Sequence, residues 1–177
     1  MRVRIFVALA AVVAAVFLLA TGALAGSGKH PGKHPAKQPP SHPTTTAKLE
    51  HRALFAVLTG RKEVDAAGNR RVGDPDGFGS FTAIVKGNQL CFGITVKNVD
   101  QPIAAHIHIG RPNVAGPIVV PLTQPTTGDP GASSGCVTVD PALAASILKN
   151  PHKYYTNVHT AAFPGGAVRG QLFRKSH

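Results

Sequence analysis

Beyond residue 49 the chain alternates apolar and polar residues with a period of two, interrupted by clusters of glycine, proline, asparagine and aspartate. "ALFAVLTG" (53–60) is apolar and strand-length, and the turn-rich "DAAGNRRVGDPDGFG" follows it. "SFTAIVKGNQLCFGITVKNV" divides at Gly87-Asn88 into two strands joined by a tight turn, the pattern of a β-hairpin. In its second arm Leu90, Phe92, Ile94 and Val96 share one face, while Cys91, Gly93, Thr95 and Lys97 share the other. "AAHIHI", "PIVVPL", "GCVTVD", "KYYTNVHT" and "AVRGQLF" supply the remaining strands. About eight short strands with turn residues between them predict an all-β fold, an antiparallel Greek-key-like sandwich or barrel. One segment departs from the alternation. "DPALAASILKNP" places Asp140 at an N-cap, Pro141 at the first helical position, and Leu143, Ile147 and Leu148 at helical spacing, so a short connecting helix is expected there, ending at Asn150-Pro151.

The N-terminal stretch follows another rule. Arg2 and Arg4 precede an apolar run, Ile5 to Ala20, which meets the small-residue signature Ala23-Leu24-Ala25. A charged start, a short apolar run and an A-x-A site read as a signal peptide over residues 1–25. The run is short for a membrane span, which needs roughly 20 apolar residues, so no stable membrane anchor is expected after cleavage. Residues 26–48, "GSGKHPGKHPAKQPPSHPTTTAK", form a Lys/His/Pro-rich linker. It has no apolar period with which to offset the entropy of ordering, and is expected to be disordered. The domain is then 49–177, and the mature protein is expected to be secreted, extracellular or wall-associated.

Charge narrows the partners. The formal net charge is +11. Setting aside Arg2 and Arg4 in the leader and Lys29, Lys33, Lys37 and Lys48 in the linker leaves the domain at +5, spread along its length. Without clustered bases and interleaved aromatics this gives no case for nucleic acid. Anionic cell-envelope polymers are the more natural neighbour of an exported cation, by salt-sensitive attraction. Cys91 and Cys136 are the chain's two cysteines, and an even pair in an exported chain predicts a disulfide.

"AAHIHIGRPNVAGPIVVPL" (104–122) holds the richest chemistry. On a strand, residues two apart point the same way, so His106 and His108 stand side by side, with Ile107 and Ile109 expected to face the core. Two neutral imidazoles at that spacing reach one borderline ion such as Cu²⁺ or Zn²⁺. His159 in "TNVHTAAFPGG" shares a face with Tyr155 and Asn157, and joins the pair if the two strands are neighbours. The alternative is that the rings hydrogen-bond backbone carbonyls and pin the "GRPNVAGP" and "AAFPGG" loops, a task suited to a group with one donor and one acceptor. Arg169 is read either as a clamp for an anionic ligand or as a strand-face cation paired with Asp100 or Glu63. Gly165-Gly166 after Pro164 predict a tight turn. Ser133 and Ser134 lie outside any nucleophile-elbow pattern and the carboxylates form no acidic pair, so no catalytic residue is assigned.

Taken in order, "FAVLTGRKEV", "DPDGFGSFTAIV", "AAHIHIGRPNVAGPIVVPL" and "YYTNVHTAAFPGGAVRGQLF" resemble the CHRD domain, a module first named for repeats in chordin and also found in single-domain exported bacterial proteins. The resemblance implies a small extracellular β-domain with no established enzymatic activity, and hence an extracellular or envelope binding role with an unspecified ligand. Two departures stand out. "EVDAAG" replaces a common "EVPP"-like opening, and Ala167 in "PGGAVRGQ" stands where related sequences carry an acidic residue.

Overall fold

The alternating segments form eight strands, and a single antiparallel sheet takes them all up in a computed structural model that describes residues 53–175. The signal peptide expected at 1–25, the linker at 26–48 and the domain's first residues lie outside the described part. The strands are β1 (Ala53–Thr59), β2 (Phe78–Lys86), β3 (Gln89–Lys97), β4 (Pro102–Ile109), β5 (Ile118–Leu122), β6 (Gly131–Thr138), β7 (Tyr154–Thr160) and β8 (Val168–Gln171). Their order across the sheet is β5-β4-β7-β8-β1-β2-β3-β6. The first three form a meander, and the chain then crosses repeatedly between the two halves of the sheet. Ser133 Oγ on β6 donates to Thr123 O just beyond β5 at 2.8 Å, linking the two outermost strands of a nearly closed barrel.

Period two decides what fills the barrel. Leu54, Leu58, Phe81, Val85, Leu90, Ile94, Ile107 and Val158 all point inward and are buried. The hairpin turn falls at Gly87-Asn88 as the sequence predicts, with Lys86 opposite Gln89. Gly87 takes φ +62°, a backbone conformation that side chains disfavour. The helix, α1 (Pro141–Lys149), is capped by Asp140, whose carboxylate accepts from the Ala142 and Leu143 amides. It buries Ala144 and Ile147 against the core. Cys91 and Cys136 stand directly opposite each other on β3 and β6 and are joined as a disulfide.

Two local expectations need correction. β6 begins at Gly131, four residues before "GCVTVD", because the small residues of "GASSG" pair in register with β3 although they carry no apolar period. Ile109 was expected in the core beside Ile107 but is 41 % exposed. It ends β4, past a register shift between Ile107 and His108, where the strand has left the barrel interior.

Candidate metal centre

The outward face of β4, β7 and β8 is where the polar residues gather. The register sets His106 opposite Asn157 and His108 opposite Tyr155 across β4–β7, while Asn157 faces Arg169 and Tyr155 faces Gln171 across β7–β8. His159 is opposite Ala104, one step along the face from His106. An outward strand face normally meets solvent. Here three loops fold over it: residues 110–117 after β4, residues 161–167 after β7, and the 3-10 turn Gly60–Lys62 with the chain that follows β1. Tyr155, Asn157 and Arg169 are therefore as buried as the hydrophobic core.

The three imidazoles converge. One ligand nitrogen from each of His106, His108 and His159 lies within 4.8 Å of the others. The bonds made by the remaining nitrogens fix the tautomers. His108 Nδ1 is 2.8 Å from Gly116 O, and His159 Nδ1 is 2.9 Å from Pro164 O. A carbonyl only accepts, so both Nδ1 atoms carry a proton, and in a neutral ring Nε2 then presents the lone pair. His106 Nδ1 then donates to His159 Nε2 at 3.2 Å. For His108 and His159 the two readings are thus compatible: one nitrogen pins a loop and the other is left for the cluster. Metal-ligating histidines typically show this arrangement, their second N–H held by a backbone carbonyl.

Burial favours the neutral form of two of the rings. Burial, followed by the neighbouring His159 and His108, pushes the His106 imidazole down to about 4. Burial also lowers His108. Neutral imidazole is the form that ligates a metal. His108 is 7 % exposed and its Nε2 has no hydrogen-bond partner. A tetrahedral ion with metal–nitrogen bonds of about 2.0–2.1 Å sets its ligands roughly 3.3 Å apart. His106 Nδ1 and His159 Nε2 are 3.2 Å apart, close to that separation, and an ion there requires the His106 proton to move from Nδ1 to Nε2.

Behind the histidines a packed column holds the face rigid. The His108 ring stacks on Tyr155 with centroids 4.7 Å apart and planes 9° from parallel. The Arg169 guanidinium lies over the same ring, 3.3 Å from its centroid, and comes from the strand on the other side of β7. Arg169 Nη2 donates to Arg111 O and Val114 O at 3.1 and 3.0 Å, and Gln171 Nε2 to Gly110 O at 2.7 Å. The "GRPNVAGP" loop is thereby tied down along its length. Of the two carboxylates considered as partners for Arg169, Glu63 is the one whose charge acts on it. Glu63 is itself buried, and burial raises its carboxyl to about 7 against the opposing pull of Arg169. The tight turn at Gly165-Gly166 forms, closed by Gly166 N to Phe163 O at 3.0 Å. Its Gly166 takes φ +139°, and a Cβ there would collide with the Glu63 carboxylate.

Residues 54–172 match the family model of the CHRD domain, which spans most of the described fold. The chain belongs to the CHRD family. No curated protein matches it. The matched range contains the sheet's eight strands almost entirely, both cysteines and the face on which the histidines sit. Sequence reasoning found all three histidines and Arg169, but did not place Glu63, Asn157 and Tyr155 in the buried network. Period-two phase put Tyr155 and Asn157 on the His159 face, but phase alone does not reveal that loops bury that face. Glu63 carries no periodic signal, since it follows a 3-10 turn outside any strand.

Proposed function

We propose that this CHRD domain is an exported metal-binding module that holds one Cu²⁺ or Zn²⁺ ion on His106, His108 and His159. The observation that carries the reading is the convergence of three imidazoles from two neighbouring strands, with the Nδ1 atoms of His108 and His159 held by backbone carbonyls and one ligand nitrogen of each ring within 4.8 Å of the others. All-nitrogen donors suit a borderline first-row ion. Three protein ligands leave a fourth position open to water or an exogenous ligand, as in sites where the metal is used and not merely structural. Copper would add redox chemistry at that position. The Cys91–Cys136 disulfide accords with an oxidising compartment. Among the described residues no helix is long and apolar enough to cross a membrane.

His106 is the residue to change, because neither of its ring nitrogens holds a loop carbonyl. With Cu²⁺ or Zn²⁺ at about 100 times its dissociation constant the wild-type protein should gain about 2.7 kcal/mol, a rise in Tm of roughly 10 °C. His106→Ala should keep its metal-free Tm within a few degrees and lose most of that gain. Equal metal-induced shifts in the two proteins would end the proposal.

A further inference from the structure

A second polar feature lies on the β8 side of Tyr155. A cavity of about 230 Å³ opens there, lined by Arg61, Lys62, Arg70 and Arg169 together with Asn113 and Gln171. None of its lining residues is acidic. Arg61, Lys62 and Arg70 are exposed at its rim, while Arg169 is only 2 % exposed and belongs to its wall. The guanidinium cannot swing away, since Tyr155 stacks on it and two loop carbonyls hold Nη2. Its Nη1 is buried and has no hydrogen-bond partner. A buried charged donor left unpaired is costly, and an anion relieves that cost.

Of the acids nearby, Glu63 acts on the Arg169 charge but is not part of the cavity lining. Asp65, on the loop that carries Arg70, uses both carboxylate oxygens on Asn69, accepting from its amide and side chain at 2.8 Å each. Lys62 is held in place by donating to Val57 O at 2.8 Å, which leaves its other two N–H bonds free. Four cations around one small volume suit a tetrahedral phosphate or sulfate group, whose oxygens point toward several donors at once, better than a planar carboxylate.

We propose that this cavity is an oxyanion site taking a phosphate or sulfate group, with Arg169 as its fixed wall and Arg61, Lys62 and Arg70 as its rim. The site gives the expected attraction to anionic envelope polymers a definite seat, and it stands whether or not the histidines bind metal. The ligand chemistry has two sources, a free oxyanion or a phosphodiester unit of a polymer, and the test separates them.

The full chain is titrated calorimetrically with inorganic phosphate and, in a second arm, with a short glycerol-phosphate oligomer, each against sodium chloride at matched ionic strength. Saturable binding of one equivalent is expected in at least one arm, and tighter binding of the oligomer identifies the polymer as the source. Arg61→Gln/Arg70→Gln, confined to exposed side chains, should weaken binding by roughly tenfold or more. His106→Ala should bind as wild type. Heat that chloride reproduces, no saturation in either arm, or a double variant that binds like wild type would overturn the proposal.

Discussion

One sheet presents two very different outer faces. Over β1, β2 and β3 the outward residues meet solvent: Val57 is 55 % exposed and Ile84 46 %. Their contacts are simple cross-strand pairs, such as Ser80 with Thr95 at 2.8 Å. Over β4, β7 and β8 the outward residues His108, Tyr155, Asn157 and Arg169 are buried, and His106, His159 and Gln171 are half-buried. Strand geometry is the same in both halves, so the difference comes from the connections. β2 and β3 are joined by two residues, which can cover nothing. The connections after β1, β4 and β7 are long and fold back over the sheet, converting a polar surface into a polar interior. Every loop carbonyl brought down this way needs a donor, and the histidines, Tyr155, Arg169 and Gln171 supply them.

That contrast can be broken experimentally. Tyr155→Ala removes the ring between His108 and Arg169 and should destabilise by about 3–5 kcal/mol in denaturant titrations, as loss of a buried aromatic does. A cost near that of an exposed residue would mean that the loops do not seal the face. The bare side has one strong element. Replacing Cys91 and Cys136 by serine opens a loop with a sequence separation of 45. By chain entropy this should cost about 4 kcal/mol, while leaving metal-induced stabilisation intact.

Glu63 gives a pH signature to the covered face. Its folded carboxyl, at about 7, lies above its ordinary value of 4.5. Below pH 4.5 the group is protonated in both states and has no effect. Between 4.5 and 7 only the unfolded chain ionises it, so its contribution erodes stability as pH rises, by about 3 kcal/mol at most. Glu63→Gln should flatten that slope, as read from unfolding free energies at pH 4.5 and 7. An unchanged slope would place the charge elsewhere. At the small end, Ile84→Ser on the bare face should shift stability by no more than about 0.5 kcal/mol.

The same contrast explains what the sequence disclosed. Alternation found the strands, Gly87-Asn88 the hairpin, Asp140-Pro141 the helix start, and the cysteine pair the disulfide, because each depends on neighbours in the chain. Phase along single strands put His106 beside His108 and aligned Tyr155, Asn157 and His159. What stayed hidden is non-local. That β4 pairs with β7, in a register that brings His159 beside His106, follows from the crossing connections. Ile109 was misread because alternation does not mark where a strand leaves the barrel. Glu63 is buried by the loops closing over it and by its place against Gly166, neither of which has a sequence period.

The most direct test of the central claim is copper titration of the metal-free protein followed by electron paramagnetic resonance. The account predicts one Cu²⁺ per chain with hyperfine coupling to three imidazole nitrogens in wild type, and loss of one nitrogen in His106→Ala. A spectrum with no histidine nitrogen coupling, or one unchanged by His106→Ala, would contradict it.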